Sequence, residues 1–574
     1  MEKNIITLIA ASALFLSLPP FCSCSQAQDT GVFEYKEIHL PEKETDLNRN
    51  LHLNNLDIDW GLWGHHMSNV LPKHPVDDVF AWNDGYRDSE QFCFTSDRLF
   101  SYLETYIKEN FGEDKPQRFA ILPNDNSLVC QCQHCKELGN TAQNASPAVF
   151  DMLRRIAQRF PKHLFFTSYY LTTRNTPDID LPENTGVLVS AMDYPLCSAT
   201  TAQEKDFEAL LKTWKEKVKH VYVWDYINNF DDYFTPFPVF TIMQRRFQLY
   251  RRNGVSGIFL NGSGTEYSTF SRLKTYVLGQ LLQDPDRDWR ELVREGCRDY
   301  YPMTGDVIAG FIFEQETWTA EQARQLPLYG GMEEATKSYL PEKAFNRFYE
   351  QLTSLKPQTK GNEQKDIRMM CRALALTRLE LQRLHGQLED TPTLTASLKE
   401  MAEQGVKVYS EACWFIESYI KEYNEMKAHR EQTRQKDLLL NARLTPLTAL
   451  DPEYSDISIL TDGLLGLPSN YHCGQMISSA TPALRLAIPP TEGLKRLRIS
   501  LTKNIIFHID LPQQVILSDG HRELARNTPA PLPDNPNRSV VEFDIPANSS
   551  GTFILTFVRN QDERTMAIDE IEGY

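Results

Sequence analysis

Between about Leu53 and Glu314, short runs of β-branched and aromatic residues recur, each closed by a polar residue and followed by a stretch of helical periodicity. Gln117-Arg-Phe-Ala-Ile-Leu-Pro123 ends in Asn124-Asp125, and Leu164-Phe-Phe-Thr-Ser-Tyr-Tyr170 is the next run. Gly186 to Met192 ends at Asp193, His220 to Trp224 at Asp225, and Val255 to Leu260 at Asn261. Weaker runs lie near Leu53–Trp60 and Val79–Asn83. Runs this short and this apolar suit strands buried on both faces. The intervening helices carry start signals: Ser96, Ser146 followed by Pro147, and Thr201 with Glu204 at capping-box spacing. Strand, helix and strand in this order demand parallel pairing, because antiparallel neighbours need only a tight turn. Residues 51–325 are therefore expected to form a (β/α)8 TIM-like barrel.

The rest of the chain changes character. Ile367, Met370, Cys371 and Leu374 recur at helical spacing, as do Val406, Tyr409, Cys413 and Ile416, so residues 326–445 read as a helical domain with Cys371 and Cys413 as buried thiols. The charged run Lys427 to Lys436 reads as a solvated helix face. Residues 446–574 alternate short strands with Pro, Gly, Asn and Asp turns, the pattern of a β-sandwich or jelly roll. The expected whole is a multidomain α/β, α and β protein.

At the N-terminus, Lys3 precedes an uncharged apolar run, Ile5 to Leu18, which is broken by Pro19-Pro20. This is the layout of a secretory signal over residues 1–24, with Cys24 as a lipidation site and residues 25–50 as a linker, the alternative being ordinary cleavage near Ala27 and a soluble periplasmic protein. No later stretch approaches the ~20 apolar residues of a membrane helix, so contact with a membrane is expected only through the lipid anchor. The location expected is the periplasm or the cell surface. A formal net charge of −17 without clustered Lys and Arg excludes a phosphate-binding surface, and with it nucleic acid.

In a parallel barrel, residues at the C-terminal ends of the strands converge whatever their separation in sequence. Asp125, Asp193 and Asp225 occupy such positions, and Glu266 follows the last run in a Gly-rich loop, Asn261-Gly-Ser-Gly-Thr-Glu266. A protonated carboxyl opposite a carboxylate is the arrangement for cleaving a glycosidic bond. Asp125, Asp225 and Glu266 are the catalytic candidates, with Asp125 as acid and either other residue as base or nucleophile. Trp224, Tyr226, Asn228, Asn229, Asp231, Asp232 and Tyr233 crowd the stretch before Pro236. Aromatic faces beside amides and carboxylates suit a sugar ring, so Trp224 and Tyr226 join Asn124, Tyr170, Asp193, Trp63 and His65 as binding candidates. Such hydrolysis requires no cofactor. Cys130-Gln-Cys132-Gln-His-Cys135, with Cys93, forms a cluster that suits a structural zinc or, in an oxidising compartment, disulfides.

The motifs His74-Pro75, Ala81-Trp-Asn-Asp-Gly85-Tyr-Arg87, Gln91-Phe-Cys93, Pro123-Asn-Asp125 with the three following cysteines, Trp224-Asp-Tyr226, Pro236-Phe-Pro238 and Leu281-Leu282-Gln-Asp-Pro285 stand in that order. Together they resemble domain of unknown function 4838, a family of exported proteins from glycan-degrading bacteria that is grouped with TIM-barrel glycoside hydrolases. The resemblance spans about Trp60 to Glu314. It implies a barrel, an envelope location and a carbohydrate partner, with a non-catalytic carbohydrate-binding surface lipoprotein as the alternative to a hydrolase. The tail, with Leu460-Thr-Asp-Gly463 and Ala567-Ile-Asp-Glu-Ile571, resembles galactose-binding-like sandwiches of the discoidin type.

Overall fold

The computed structural model describes residues 32–41, 46–199, 201–546, 551–560 and 564–574. The signal expected over residues 1–24, including Cys24, lies outside the described residues. The described chain divides into two units. One runs to Leu374 and includes Tyr409–Ala412; the other comprises Ala375–Val408 and Cys413–Tyr574.

The first unit is built on a curled parallel sheet of seven strands: β1 (Tyr35–His39), β2 (Trp60–Leu62), β3 (Arg118–Ala120), β4 (Leu164–Tyr169), β5 (Thr185–Ser190), β6 (His220–Tyr226) and β7 (Gly257–Asn261). Their order is β1-β7-β6-β5-β4-β3-β2. β1 and β2 are the edges, and the rings of Tyr35 and Trp60 meet edge-to-face at 5.9 Å between them. Among the described residues there is no eighth strand, so the sheet is a half-barrel rather than the closed (β/α)8 barrel expected.

Three sequence expectations fail locally. β1 lies inside the stretch read as linker; its Lys36 and Glu37 mask an otherwise buried strand. The Leu53–Trp60 run opens as a helix, Leu56–Asp59, because the Asn55 side chain accepts from the Asp57 amide and caps it; only then does β2 begin. The Val79–Asn83 run pairs antiparallel, Phe80–Asn83 with Tyr86–Phe92, outside the parallel sheet. Asp84 and Gly85 both have positive φ, the backbone that a two-residue hairpin turn requires.

Period-two alternation sorts the strand residues. Tyr35, Trp60, Ala120, Phe166, Leu188, Tyr222 and Phe259 fill the concave interior as one buried cluster, with Trp224 and Trp63 packed on it. The space left among these aromatics is about 10 Å³, so the interior is packed and not a channel. The opposite faces meet helices Asp97–Asn110, Ser146–Arg159, Ala202–Lys217, Phe240–Arg252 and Ser271–Gln283. Ser96 caps the first of these as expected, accepting from the Leu99 amide. At Ser146 the helix starts one residue early, with Ala145 as its cap and Pro147 in the first turn. Thr201 makes no side-chain cap; Glu204 is buried instead and lies 3.5 Å from Arg245.

Helices Gly305–Gln322, Met332–Ser338 and Glu342–Leu355 belong to this same unit. The helical spacing read through Val406, Tyr409 and Cys413 is not a helix. Helix Thr391–Glu403 ends ahead of Gly405, whose φ is +99°, and the next helix starts at Ile416. Cys413 is exposed in that loop, whereas Cys371 is buried as expected. Among the described residues no helix is long and apolar enough to cross a membrane.

In the second unit, nine strands among the described residues form two sheets: β8 (Thr445–Pro446), β9 (Met476–Ser478), β10 (Ala483–Ile488), β11 (Arg496–Thr502), β12 (Gln514–Ser518), β13 (Glu523–Asn527), β14 (Arg538–Asp544), β15 (Phe553–Val558) and β16 (Met566–Gly573). One sheet runs β8-β10-β15-β12-β13 and the other β9-β16-β11-β14. Alternating residues such as Leu484, Leu486 and Ile488, and Leu497, Ile499 and Leu501, face one shared core. In β16 the acids are buried as well, and Arg538 pairs with Asp569.

Candidate functional site

Because every strand of the half-barrel is parallel, its C-terminal ends lie at one mouth. Five of the binding candidates line it. His65 Nδ1 lies 2.6 Å from the Pro123 carbonyl, and its ring is 6.2 Å from that of Tyr170. Trp63 stacks edge-on against His66 at 4.5 Å, and Trp224 tilts against Phe259 at 4.2 Å. Tyr226 reaches Ser190 Oγ at 3.2 Å. Tyr170 is half-buried, and burial followed by the charge of Asp125 pushes its hydroxyl up to about 12.

The carboxylates part company. Asp125 is exposed on the loop after β3. Asn124 anchors that loop: its amide N–H donates to Gln91 at 3.0 Å and its side chain to the Glu90 carbonyl at 2.8 Å. Asp193 is exposed and paired with Arg174 at 2.7 Å. Glu266 is half-buried, and burial raises its carboxyl. Gly264, at φ +64°, lets the Glu266 loop lie against His39; a Cβ there would sit 3.1 Å from His39 Nε2.

Asp225 is not at the mouth. Tyr222, Trp224 and Tyr226 face the interior, so alternation turns Asp225 outward, towards helix Phe240–Arg252. There it pairs with Arg246, both side chains being 0% exposed, and accepts from Tyr250 Oη at 2.5 Å and from the Tyr226 amide at 2.8 Å. Both oxygens are engaged, which leaves none for a substrate. The catalytic expectation for Asp225 is thus corrected to a structural role, and the signal that would have shown it is the parity of its aromatic neighbours.

Glu411 was missed. It belongs to Tyr409–Ala412, the short stretch that joins the first unit from far downstream. Backbone hydrogen bonds hold this stretch to the loop after β6: the Glu411 amide donates to the Phe230 carbonyl and the Tyr233 amide to the Tyr409 carbonyl, each at 2.8 Å. The Tyr329 hydroxyl donates to the Glu411 carboxylate at 2.8 Å. Glu411 is exposed, and its hydrogen bond to Tyr329 lies at the surface, although the surrounding protein still withholds some water from the carboxyl. Burial raises it, the Tyr329 hydrogen bond opposes the rise, and the charges of Asp231 and Asp125 add to it. Glu411 and Asp125 are therefore close enough to feel one another.

A second missed feature is in β1. The Tyr35 hydroxyl donates to Glu37, which is 1% exposed, and His39 Nδ1 lies 3.8 Å from the other Glu37 oxygen. His39 continues outward to the mouth, where it meets Trp63 and Phe259.

The four expected cysteines do meet. The sulfurs of Cys93, Cys130, Cys132 and Cys135 all lie within 4.8 Å of one another, an arrangement able to hold a metal ion. In the second unit, Tyr454, Tyr471, Phe507, Asp451, Glu453 and His508 are among the residues around an open cavity of about 670 Å³. The Tyr471 and Phe507 rings meet edge-to-face at 4.9 Å within it.

Residues 57–312 match the family model described as Domain of unknown function (DUF4838), the family that the sequence motifs resemble. No curated protein matches the chain. Among solved structures, a family GH115 4-O-methyl-α-glucuronidase, BtGH115A, with specificity for decorated arabinogalactans, is 10% identical over 84% of this chain and 67% of its own, with a TM-score of 0.37. A GH138 enzyme targeting pectin rhamnogalacturonan II is 10% identical over 87% of this chain and 80% of its own, with a TM-score of 0.26. A Streptococcus pneumoniae fucose binding module, SpX-3, is 17% identical over 24% of this chain and 97% of its own, with a TM-score of 0.20.

Proposed function

We propose that the protein hydrolyses glycosidic bonds of an oligosaccharide or polysaccharide at the mouth of the half-barrel, which we read as a TIM barrel short of one strand. Glu411 is the general acid and Asp125 the base or nucleophile. The observation that carries this reading is the raised carboxyl of Glu411, to which the charge of Asp125 contributes. Both residues are exposed, but the Glu411 carboxyl is raised, with the charges of Asp231 and Asp125 adding to the rise, which keeps a proton available. Glu411 gives its proton to the leaving glycosidic oxygen. Asp125 then either activates a water or forms the glycosyl bond itself, according to its separation from Glu411. Trp63, Tyr170, Trp224 and Tyr226 offer faces and hydroxyls to the sugar ring, and His65 a ring nitrogen.

The aromatic cavity of the sandwich supports a second, accessory contact with the same glycan. The charged-then-apolar N-terminus ending at Cys24 supports export and lipid anchoring, which place the site where polymeric glycans are met.

The test is release of reducing sugar from a panel of plant, host and bacterial glycans. Glu411→Gln and Asp125→Asn should each lower kcat/KM by about 10²–10⁴-fold on the substrate found. Wild-type cleavage by both variants would sink the assignment. If Glu266→Gln alone abolishes cleavage, the acid is Glu266.

A further inference from the structure

We propose that Cys93, Cys130, Cys132 and Cys135 bind one zinc ion, and that this ion fixes the loop carrying Asp125. The first half stands on its own geometry; the functional weight of the second rests on the role proposed for Asp125.

A zinc ion bound by four thiolates at about 2.3 Å sets sulfur–sulfur edges of about 3.8 Å, the tetrahedral edge being ~1.63 bond lengths. Cys93 Sγ lies 3.7 Å from Cys132 Sγ and 3.9 Å from Cys135 Sγ. Two disulfides would instead draw the sulfurs together in pairs at about 2.0 Å. Cys93, Cys130 and Cys135 are buried and Cys132 is half-buried, so the site is closed but has a side by which an ion can enter. Four thiolates around Zn²⁺ leave a net charge of −2, which hydrogen-bond donors must offset. The Trp82 amide donates to Cys130 Sγ at 3.2 Å, and the Thr95 hydroxyl lies 3.3 Å from Cys93 Sγ and 3.2 Å from Cys135 Sγ. On binding, Zn²⁺ displaces the thiol protons to solvent, and no redox step is involved.

The site ties the two ends of one small module. Cys93 directly follows the hairpin strand Tyr86–Phe92, and Cys130, Cys132 and Cys135 follow the Asp125 loop. Between these anchors, Gln91 clasps the loop: its Oε1 accepts from the Asn124 amide at 3.0 Å, and its Nε2 donates to Asn126 Oδ1 at 3.0 Å. The Asn126 side chain donates to the Glu90 carbonyl at 2.8 Å. The Gln131 amide donates to the Trp82 carbonyl at 2.7 Å, which joins the cysteine segment to the other hairpin strand. Gln91 and the Glu90 carbonyl are two and three residues from one zinc ligand, so movement at the metal reaches the Asp125 loop through a few direct hydrogen bonds.

The experiment uses the full chain. Zinc content is measured by mass spectrometry, and cysteines are alkylated with iodoacetamide before and after chelation. One zinc per chain is expected, with these four thiols blocked until chelation. Replacement by cobalt(II) should give the visible bands of a tetrahedral thiolate site, a readout that needs no activity and no variant. Hydrogen exchange of the segment around Asn124 to Asn126 should rise several-fold when the metal is removed, and in Cys132→Ser. Two disulfides and no bound metal would overturn the zinc site. Bound metal with unchanged exchange at the Asp125 loop would overturn the positioning role. Neither readout depends on sugar cleavage, so failure of the hydrolase reading is told apart from failure here.

Discussion

Replacing Asp225 with Asn separates a structural acid from a catalytic one. The Asp225 carboxylate and the Arg246 guanidinium are both fully buried, and Arg246 also donates to the carbonyls of Tyr194 and Pro195 at 2.6 and 2.9 Å. Removing one partner of such a pair strands the other charge and costs about 3–5 kcal/mol. Asn keeps the shape: its Oδ1 can still accept from the Tyr226 amide while its Nδ2 donates to the Tyr250 hydroxyl, so the lower end, about 3 kcal/mol, is expected. Asp225→Leu combined with Arg246→Met should lose less than the sum of the two single variants, because no unpaired charge remains. Urea unfolding followed by tryptophan fluorescence gives the stability change. Turnover measured well below the unfolding midpoint should stay near wild type. An Asp225→Asn variant with an unchanged midpoint but abolished turnover would refute the structural role and return Asp225 to the chemistry.

The acid assignment has a two-sided pH test. Tyr329→Phe removes the hydrogen bond that lowers Glu411, so the alkaline limb of kcat/KM should move up by about one pH unit, from ~1.5 kcal/mol for a solvent-touched charged hydrogen bond. Asp231→Asn removes a charge that raises Glu411 and should move the same limb down; shifts in one direction only would point to another acid. Buried Lys274 donates to Asn228 Oδ1 at 2.8 Å, and burial holds its amine down at about 7. As pH falls from 10 to 7 the unfolded chain takes up a proton that the folded one refuses, so stability should fall over that window. Lys274→Met should lack that slope in urea midpoints measured across it. In the sandwich, Tyr471→Ala and Phe507→Ala should weaken retention on insoluble glycan while leaving cleavage of short soluble oligosaccharides unchanged, as read by pull-down and by sugar release.

Sheet and site were legible to different degrees. The five strong strand runs, β3 to β7, were readable because strands buried on both faces are apolar throughout. β1 was not, because its Lys36 and Glu37 are buried by partners the sequence does not announce: Gln283 accepts from Lys36 at 3.0 Å, and Tyr35 donates to Glu37. Asp225 looked like its strand-end neighbours Asp125 and Asp193, yet counting by twos from Tyr222 turns it away from the mouth. Glu411 carries no local signal, since its place depends on backbone pairing with Phe230 and Tyr233, far away in the chain. Three members of the cysteine cluster were readable from spacing, because Cys130, Cys132 and Cys135 lie two and three residues apart; Cys93, far upstream, is brought to them by the fold.

Tyr409–Ala412 also sets an order of assembly. A chain cut after Leu374 would contain every strand of the parallel sheet, together with Asp125 and Glu266, but not Glu411. A chain emerging N-terminus first would therefore make its platform of aromatic side chains early and acquire the proposed proton donor late. Closing so distant a contact carries a loop entropy that grows only with the logarithm of the intervening length, so late delivery adds little to the cost of folding. It does mean that the competence of the mouth reports on how far the downstream chain has been made.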